Sequence, residues 1–434
     1  MLETSNNGPP NLGRQHDREG EIVRGVVSKL HPYRDYFGTI PALRATPPNL
    51  GGESFRFKPT FIANAPTGVG GPTASSLTDR TRGMTRVMKS SVYAINPLED
   101  RRWKEFLDRH PDSSIFHTQG WLRSLKATYQ YEPIAFTTAA PGTEIRNAIV
   151  FCTIRSWLTG NRMVSLPFSD HCEPLVDTQI DLNLLLRHVE EIRKRDRLKY
   201  VELRPVLLSP SDLSGFRESD DYLLHGLDLK PSLDDLLHSF HKDCVQRKIR
   251  KSQREGLEYE VGRSEAQLRK LYHLLKLTRR RHKIPPQPIE WFRNILSFVG
   301  DAARIHIVEK DGLPVAGILT LSHGKKVVYK YGGSDARMHH LGGMALLFWK
   351  SIQEAKTFGA DEFDFGRSAP NNFGLISFKE HWAAKPRPLS YWSSRTTFKA
   401  KDGLRKFEFP KKVFACLPYA IQAGVGRILY RHIG

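Results

Sequence analysis

Residues 339–349 read HHLGGMALLFW, a glycine pair set between two histidines and an unbroken apolar run. Upstream, ARIHIVEKDG (303–312), LPVAGILTLSHG (313–324) and KKVVYKYGGS (325–334) are β-rich segments, with Asp311-Gly312 and His323-Gly324-Lys325 as the hairpin turns between them. Downstream, MALLFWKSIQEAKTFG predicts a helix that stops at Gly359, and DEFDFG (361–366) predicts a strand. Gly342-Gly343 thus sits where a β-meander turns into a helix. Glycines there let the backbone approach an oxygen-rich ligand, and the free N–H groups and positive dipole end of the helix favour a phosphate or carboxylate. An ordinary tight turn has the same pattern.

The 434 residues are 39% hydrophobic, enough for a sizeable core in more than one domain. Lys+Arg number 66 against 46 Asp+Glu, a formal charge of +20, so phosphates, nucleic acid or anionic lipid are attracted before any specific contact forms. Cys152, Cys172, Cys244 and Cys416 lack C-x-x-C spacing, which argues against a zinc site and against a secreted disulfide framework, and fits a reducing cytoplasm. No apolar run reaches the ~18 residues that cross a bilayer, and no signal-peptide pattern opens the chain.

Residues 1–88, rich in Gly, Pro, Asn, Ser and Thr, are expected to be disordered or a mis-assigned extension, with Met84 and Met88 as alternative starts. Residues 89–240 read as a first mixed unit. Trp103, Phe106 and Leu107 fall at helical spacing within VYAINPLEDRRWKEFLDRH, helices are expected at 113–130 and 182–195, and strands in YEPIAFTTA, NAIVFCTIR, RMVSLPF and KYVELRP. Residues 241–398 form a second unit. It opens with the helix HKDCVQRKIRKSQREG and then SEAQLRKLYHLLKLTRRRH, whose Ser264 and Gln267 make a capping-box pattern. After the meander come the helix at 344–359, a strand, a short helix in LISFKEHW and a last strand in RPLSYWSSR. Residues 399–434 are a basic amphipathic tail.

Helix pair, meander, glycine turn, helix and strand, in that order, resemble the GNAT acetyltransferase superfamily, in which an [RQ]-x-x-G-x-[GA] turn holds the acyl-CoA pyrophosphate. His340-Leu341-Gly342-Gly343-Met344-Ala345 matches with His in place of Arg or Gln. FHTQGWLRSL, RMVSLPFSDHCEPL and DFGRS…FKEHWAAKPRPLSYW further resemble FemAB-type transferases, which carry two such domains in tandem and act on envelope precursors. The resemblance covers roughly residues 90–395. It implies an α/β (α+β) fold of two tandem GNAT-like domains, each a mixed, mostly antiparallel sheet flanked by helices. No cofactor is expected to bind tightly.

In FemAB-type enzymes a Phe-Lys pair lies at the acyl-donor site, and Phe378-Lys379 matches it. A cation against aromatic walls in a dry site can steady a developing oxyanion or a donor phosphate; the alternative is a surface lysine with its stem on Trp382. Arg367 can grip a carboxylate or phosphate, or pair with Asp364. Asp170, His171 and Glu173 are candidate bases that take the proton of an incoming ammonium, unless SDHCEPL is simply a polar loop. Tyr331 and Asp335 occupy a position where superfamily members line the transfer cleft. On a helix, Arg247, Arg250, Lys251 and Arg254 fall at i, i+3, i+4 and i+7, one cationic stripe suited to a lipid-linked pyrophosphate, a nucleotide sugar or a tRNA backbone, or else merely solvated.

The expected activity is transfer of an acyl group from acyl-CoA to an amine or hydroxyl of a cell-envelope or polysaccharide precursor, itself lipid-linked or free. Aminoacyl-tRNA is the alternative donor, and a non-catalytic binder of anionic lipid or nucleic acid is the alternative class. The expected location is the cytoplasm, with peripheral contact at the inner membrane face. That contact would come from FPKKVFACLPYAIQAGVGRILYRHIG (409–434), whose Leu417, Ile421 and Leu429 mix with Lys411, Lys412 and Arg427; packing against the body is the other role. Liposome flotation with and without residues 409–434 separates them: a membrane anchor loses flotation on truncation, and equal flotation of both forms ends the idea.

Overall fold

The computed structural model describes residues 91–394, 426 and 428–433. The expectations of disorder and of an alternative start in residues 1–88, and most of the tail, lie outside that range.

A strand β1 (Tyr93–Ile95) leads into α1 (Arg102–Arg109), which buries Trp103, Phe106 and Leu107 as the helical spacing predicts. The next helix is broken where the sequence reading ran it straight. Ile115–His117 form a short 3-10 turn, and α2 (Gln119–Tyr129) starts afresh because the Thr118 side chain accepts the Trp121 N–H. Then follow β2 (Glu132–Thr137), β3 (Ile149–Ile154), β4 (Arg162–Val164), α3 (Gln179–Arg195), β5 (Val201–Leu203), β6 (Arg217–Asp228) and α4 (Leu233–Ser239). The basic segment opens with a π-helical turn, Lys242–Gln246, and continues as α5 (Arg247–Arg254). β7 (Glu258–Gly262) precedes α6 (Glu265–Arg281), whose capping box forms as its residues predict: Gln267 N–H donates to Ser264 Oγ at 3.2 Å, and Ser264 N–H to Gln267 Oε1 at 3.0 Å. α7 (Ile289–Val299) leads to the meander β8 (Ala303–Lys310), β9 (Leu313–His323) and β10 (Lys326–Ser334). Asp311 and Gly312 both take positive φ, 50° and 74°, the conformation of a type I′ hairpin. The chain ends its ordered core with α8 (Gly343–Thr357), β11 (Glu362–Ser368), α9 (Phe373–Glu380) and β12 (Lys385–Ser393).

All twelve strands join in one sheet of order β1-β2-β3-β4-β5-β12-β6-β11-β10-β9-β8-β7, mostly antiparallel. Its centre is an exchange: β12, last in the chain, pairs with β5 and β6, while β6 runs between β12 and β11. The sequence analysis passed over β6 because RESDDYLLHGLD carries four acids and little alternation. Its partners, not its own pattern, make it a strand.

Two chain breaks in this sheet shape the site. β10 and β11 pair in parallel only from Lys326/Glu362 to Val328/Asp364, and β10 is bulged against β9 between Tyr329 and Tyr331. β11 shifts register against β6 between Asp364 and Arg367. Beneath the splayed strands lies a second core in which Phe348 of α8 is fully buried among Tyr329, Phe363, Phe365, Phe378 and Trp382, ring centroids 4.9–6.4 Å away. Phe348→Ala is expected to cost about 3–5 kcal/mol, read as a lowered urea midpoint with unchanged slope; a loss below about 1 kcal/mol would show that this cluster does not hold the second unit together.

Candidate active site

The loop after β4 enters the junction with two residues in left-handed conformation, Leu166 (φ 62°) and Phe168 (φ 61°). Such backbone persists only where the surroundings over-determine it, and here buried Arg204 does so. Its Nη1 donates to Leu166 O at 3.0 Å and Ser169 O at 3.1 Å, while Glu202 holds the other side of its guanidinium at 2.7 Å. The loop thereby carries Asp170 and His171 against β10 and β11 of the other half.

Asp170 meets two cations there. Lys330 Nζ donates to Asp170 Oδ2 at 3.0 Å, and Arg367 Nε stands 3.5 Å from Oδ1. Burial raises the Asp170 carboxyl, but the charges of Lys330 and Arg367 outweigh it and hold it below the usual carboxylate range. Burial lowers Lys330, opposed by Asp170. Lys330 is the residue displaced by the bulge in β10. Arg367 does not pair with Asp364: its guanidinium lies over the Tyr222 ring at 4.3 Å and the Tyr391 ring at 5.0 Å, and donates to Tyr391 Oη. Tyr391 in turn donates to Asp170 O at 2.7 Å.

Gly366 marks the break in β11, with φ 73° and Asp170 Oδ2 3.1 Å from where a Cβ would stand. Its N–H donates to Asp364 Oδ1 at 2.6 Å. The interrupted ladder leaves carbonyls that need donors. Lys379 supplies them: Nζ donates to Gly366 O at 2.7 Å and Arg367 O at 3.0 Å. Lys379 is 2% exposed, so it is no snorkelling surface residue. Burial lowers its pKa to about 8, against the pull of Asp170 and Asp364. Two of its three N–H groups are committed to backbone, and the third remains for a ligand. His171 Nε2 lies 3.5 Å from Asp364 Oδ2, its ring edge-on to Phe116 at 5.4 Å.

Asp170, His171, Arg367 and Lys379 are therefore brought together, and Lys330, Asp364, Tyr222 and Tyr391 complete the cluster. Tyr331 stands beside it, its ring 5.8 Å from Lys330 Nζ and part of the wall of a neighbouring cavity; the polar atoms of Glu173 and Asp335 are engaged elsewhere. Glu173 spends its carboxylate on the N–H groups of Val206 and Leu207, 2.6 and 3.1 Å, and burial raises its pKa. Its neighbour Cys172 is buried, its thiol pushed up by desolvation, so it is no thiolate nucleophile. Tyr331 Oη accepts the Trp291 indole N–H at 2.8 Å. Asp335 caps its own turn and pairs with Arg337 at 2.7 Å. Phe378 is a wall of the aromatic core, 5.6 Å from Phe348.

The glycine turn is shaped by packing. Gly342 (φ 76°) has the Lys248 carbonyl 2.8 Å from a virtual Cβ, and Gly343 has Val315 at the same distance. His340 is exposed beside Arg337 O at 3.1 Å. The stripe on α5 is real, with Arg247, Arg250 and Arg254 exposed and Lys251 half-buried; Arg247 also reaches Asp243 at 3.4 Å. A cavity of about 210 Å³ opens between the end of α6 and the β10 bulge, lined among others by Thr278, Arg279, His282, Tyr329 and Lys330. Arg279 makes no ion pair among the described residues. Nothing in the sequence pattern singled it out.

The structure accounts for the end of the tail. Tyr430 Oη donates to Pro285 O at 2.9 Å, and the His432 carbonyl accepts from Arg162 at 2.9 Å and Thr159 at 2.7 Å. Among the described residues no helix is long and apolar enough to cross a membrane.

The low pKa of Lys379 has a testable consequence. The folded state releases that proton near pH 8 and the unfolded chain near the ordinary lysine value of about 10.4. Between the two the unfolded chain binds more protons, so stability rises with pH. Wild type is expected to gain stability relative to Lys379→Met from pH 8 to pH 10 in urea titrations; parallel pH profiles would mean that the lysine is not desolvated.

Residues 239–379 match the family model for the acetyltransferase (GNAT) domain. The UDP-N-acetylmuramoylpentapeptide-lysine N(6)-alanyltransferase of Weissella viridescens is 24% identical over 322 residues, covering 68% of this chain and 92% of its own length. The solved structure of FemX superposes with a TM-score of 0.58 at 16% identity, across 73% of this chain and 99% of that one. Residues 239–379 thus carry a GNAT acetyltransferase domain, the chain has the fold of FemX, and the match and the relative together mark it as an acyltransferase similar to the FemAB type.

Proposed function

We propose that the protein transfers an aminoacyl group from aminoacyl-tRNA to an amine of a peptidoglycan precursor on the cytoplasmic side of the membrane. The observation that carries the choice of donor is the contact between α5 and the glycine turn. The Lys248 backbone fills the face of Gly342, and the exposed Arg247, Arg250 and Arg254 extend outward from that contact. A compact pyrophosphate needs one such turn; a tRNA backbone uses a row of cations. The relative's name supplies the acceptor, a lysine amine of a nucleotide-linked muropeptide. Arg279, which makes no ion pair among the described residues, lines the cavity beside Lys330 and suits an anionic part of such a molecule.

In this reading the acceptor ammonium loses a proton to His171, which Asp364 orients, before its nitrogen attacks the ester carbonyl. Asp170 is a weaker base, since two cations already stabilise its charge, and it serves to fix Lys330 and Arg367. Attack puts negative charge on the carbonyl oxygen, and the third N–H of Lys379 is placed to bind it in a site with little competing water. Collapse expels the tRNA ribose hydroxyl and leaves a new amide.

The deciding experiment offers UDP-N-acetylmuramoylpentapeptide with either alanyl-tRNA or acetyl-CoA and reads the product mass. Addition of one alanyl residue only with the charged tRNA is expected; an acetylated product with acetyl-CoA alone would overturn the donor assignment. Lys379→Ala is expected to lower turnover by about 100-fold or more with the fold retained. Arg250→Glu with Arg254→Glu is expected to raise the KM for tRNA about tenfold and flatten its salt dependence. An unchanged salt slope would remove the stripe from the donor site.

A further inference from the structure

We propose that His241, Cys244 and His381 form a site for a soft divalent cation of the zinc class. One ligand atom from each lies within 4.8 Å of the others. The three come from two distant stretches held in contact: His241 N–H donates to His381 O at 2.9 Å, and the two imidazoles meet edge-on at 4.5 Å. The lack of C-x-x-C spacing argues against a zinc site built on a cysteine pair. The structure instead pairs a His-x-x-Cys half, at the same i, i+3 spacing, with a single histidine from residues far along the chain.

Local geometry aims all three side chains at one spot. The π-helical turn Lys242–Gln246 wraps back so that the N–H groups of Asp243 and Cys244 point to His241 Nδ1 at 3.3 and 3.2 Å. These are long contacts for a cap; coordination at Nδ1 uses the lone pair that accepts them, so the two N–H groups turn to solvent as the cation enters. His381 Nε2 lies 3.4 Å from Ser377 Oγ, which leaves Nδ1 of that ring for the cation and supplies the outer contact that orients a metal-bound imidazole. Tetrahedral coordination at ordinary zinc bond lengths needs ligand separations of roughly 3.5 Å. The closure required is about 1 Å, within reach of side-chain rotation for an exposed His241 and a half-buried Cys244 and His381.

The charge environment is mixed. Lys248 acts on His381 and opposes a dication, and Glu380 pulls the other way. Binding exchanges the Cys244 S–H proton, released to water, for a sulfur–metal bond, with water in the fourth position. The bound ion ties the turn before α5 to the end of α9, the helix that carries Lys379.

The test is a cobalt(II) titration of the full-length chain, tag-free, reduced and stripped with chelator. A thiolate-to-cobalt charge-transfer band that saturates at one equivalent and is displaced by zinc is expected. Cys244→Ser should abolish the band, His381→Ala should weaken cobalt binding at least about tenfold, and Cys416→Ser should leave both unchanged. Circular dichroism checks that each variant is folded. Absence of the band in the wild type, or its survival in Cys244→Ser, overturns the proposal.

Discussion

A single carboxylate, Asp170, sits where the two halves of the molecule meet, and the arrangement around it depends on its charge. It arrives on a loop from one half and is met by Lys330 and Arg367 from the other. Each of these three groups would be costly to bury alone, since removing one partner from a buried pair leaves an uncompensated charge. Together they pin the loop to β10 and β11, alongside the apolar core that the halves share through Trp121, Tyr129 and Trp291. Lys379 and His171 are placed as a result, one donating into the broken edge of β11, the other resting between Phe116 and Asp364.

The sheet makes this junction rigid. Because β12 runs beside β5 and β6 beside β11, neither half can leave without breaking two ladders. The backbone groups freed by the register shift in β11 are taken up by the side chains of Asp364 and Lys379. Irregularity in the strand and the clustering of charged side chains thus coincide at Gly366.

Much of this was legible in the sequence, and the rest was not for physical reasons. The meander, its turns, α6 with its capping box, α8 and Lys379 follow from periodicity, turn chemistry and the family resemblance. Asp170, His171, Arg367 and Lys379 were named and are neighbours. β6 was missed because its acidic sequence is imposed on a strand by its partners. Lys330 and Tyr391 were missed because each lies in a segment that reads as ordinary strand, and Tyr222 because it lies in β6; only the bulge and the exchange of strands turn them toward Asp170. Glu173 and Tyr331 were named for their type, but their polar atoms are absorbed by Val206, Leu207 and Trp291. Burial and partners decide such cases, and neither is written in residue spacing.

The GNAT domain sets the class of reaction, transfer of an acyl group, while the proposed donor and acceptor rest on α5 and on the cavity beside Lys330. Beneath both lies the claim that charges from the two halves act as one unit. A double-mutant cycle on turnover with Asp170→Asn and Lys330→Met tests it most directly. The account expects a coupling of at least about 1.5 kcal/mol, the double variant losing far less than the sum of the single losses; additivity within about 0.5 kcal/mol would contradict it.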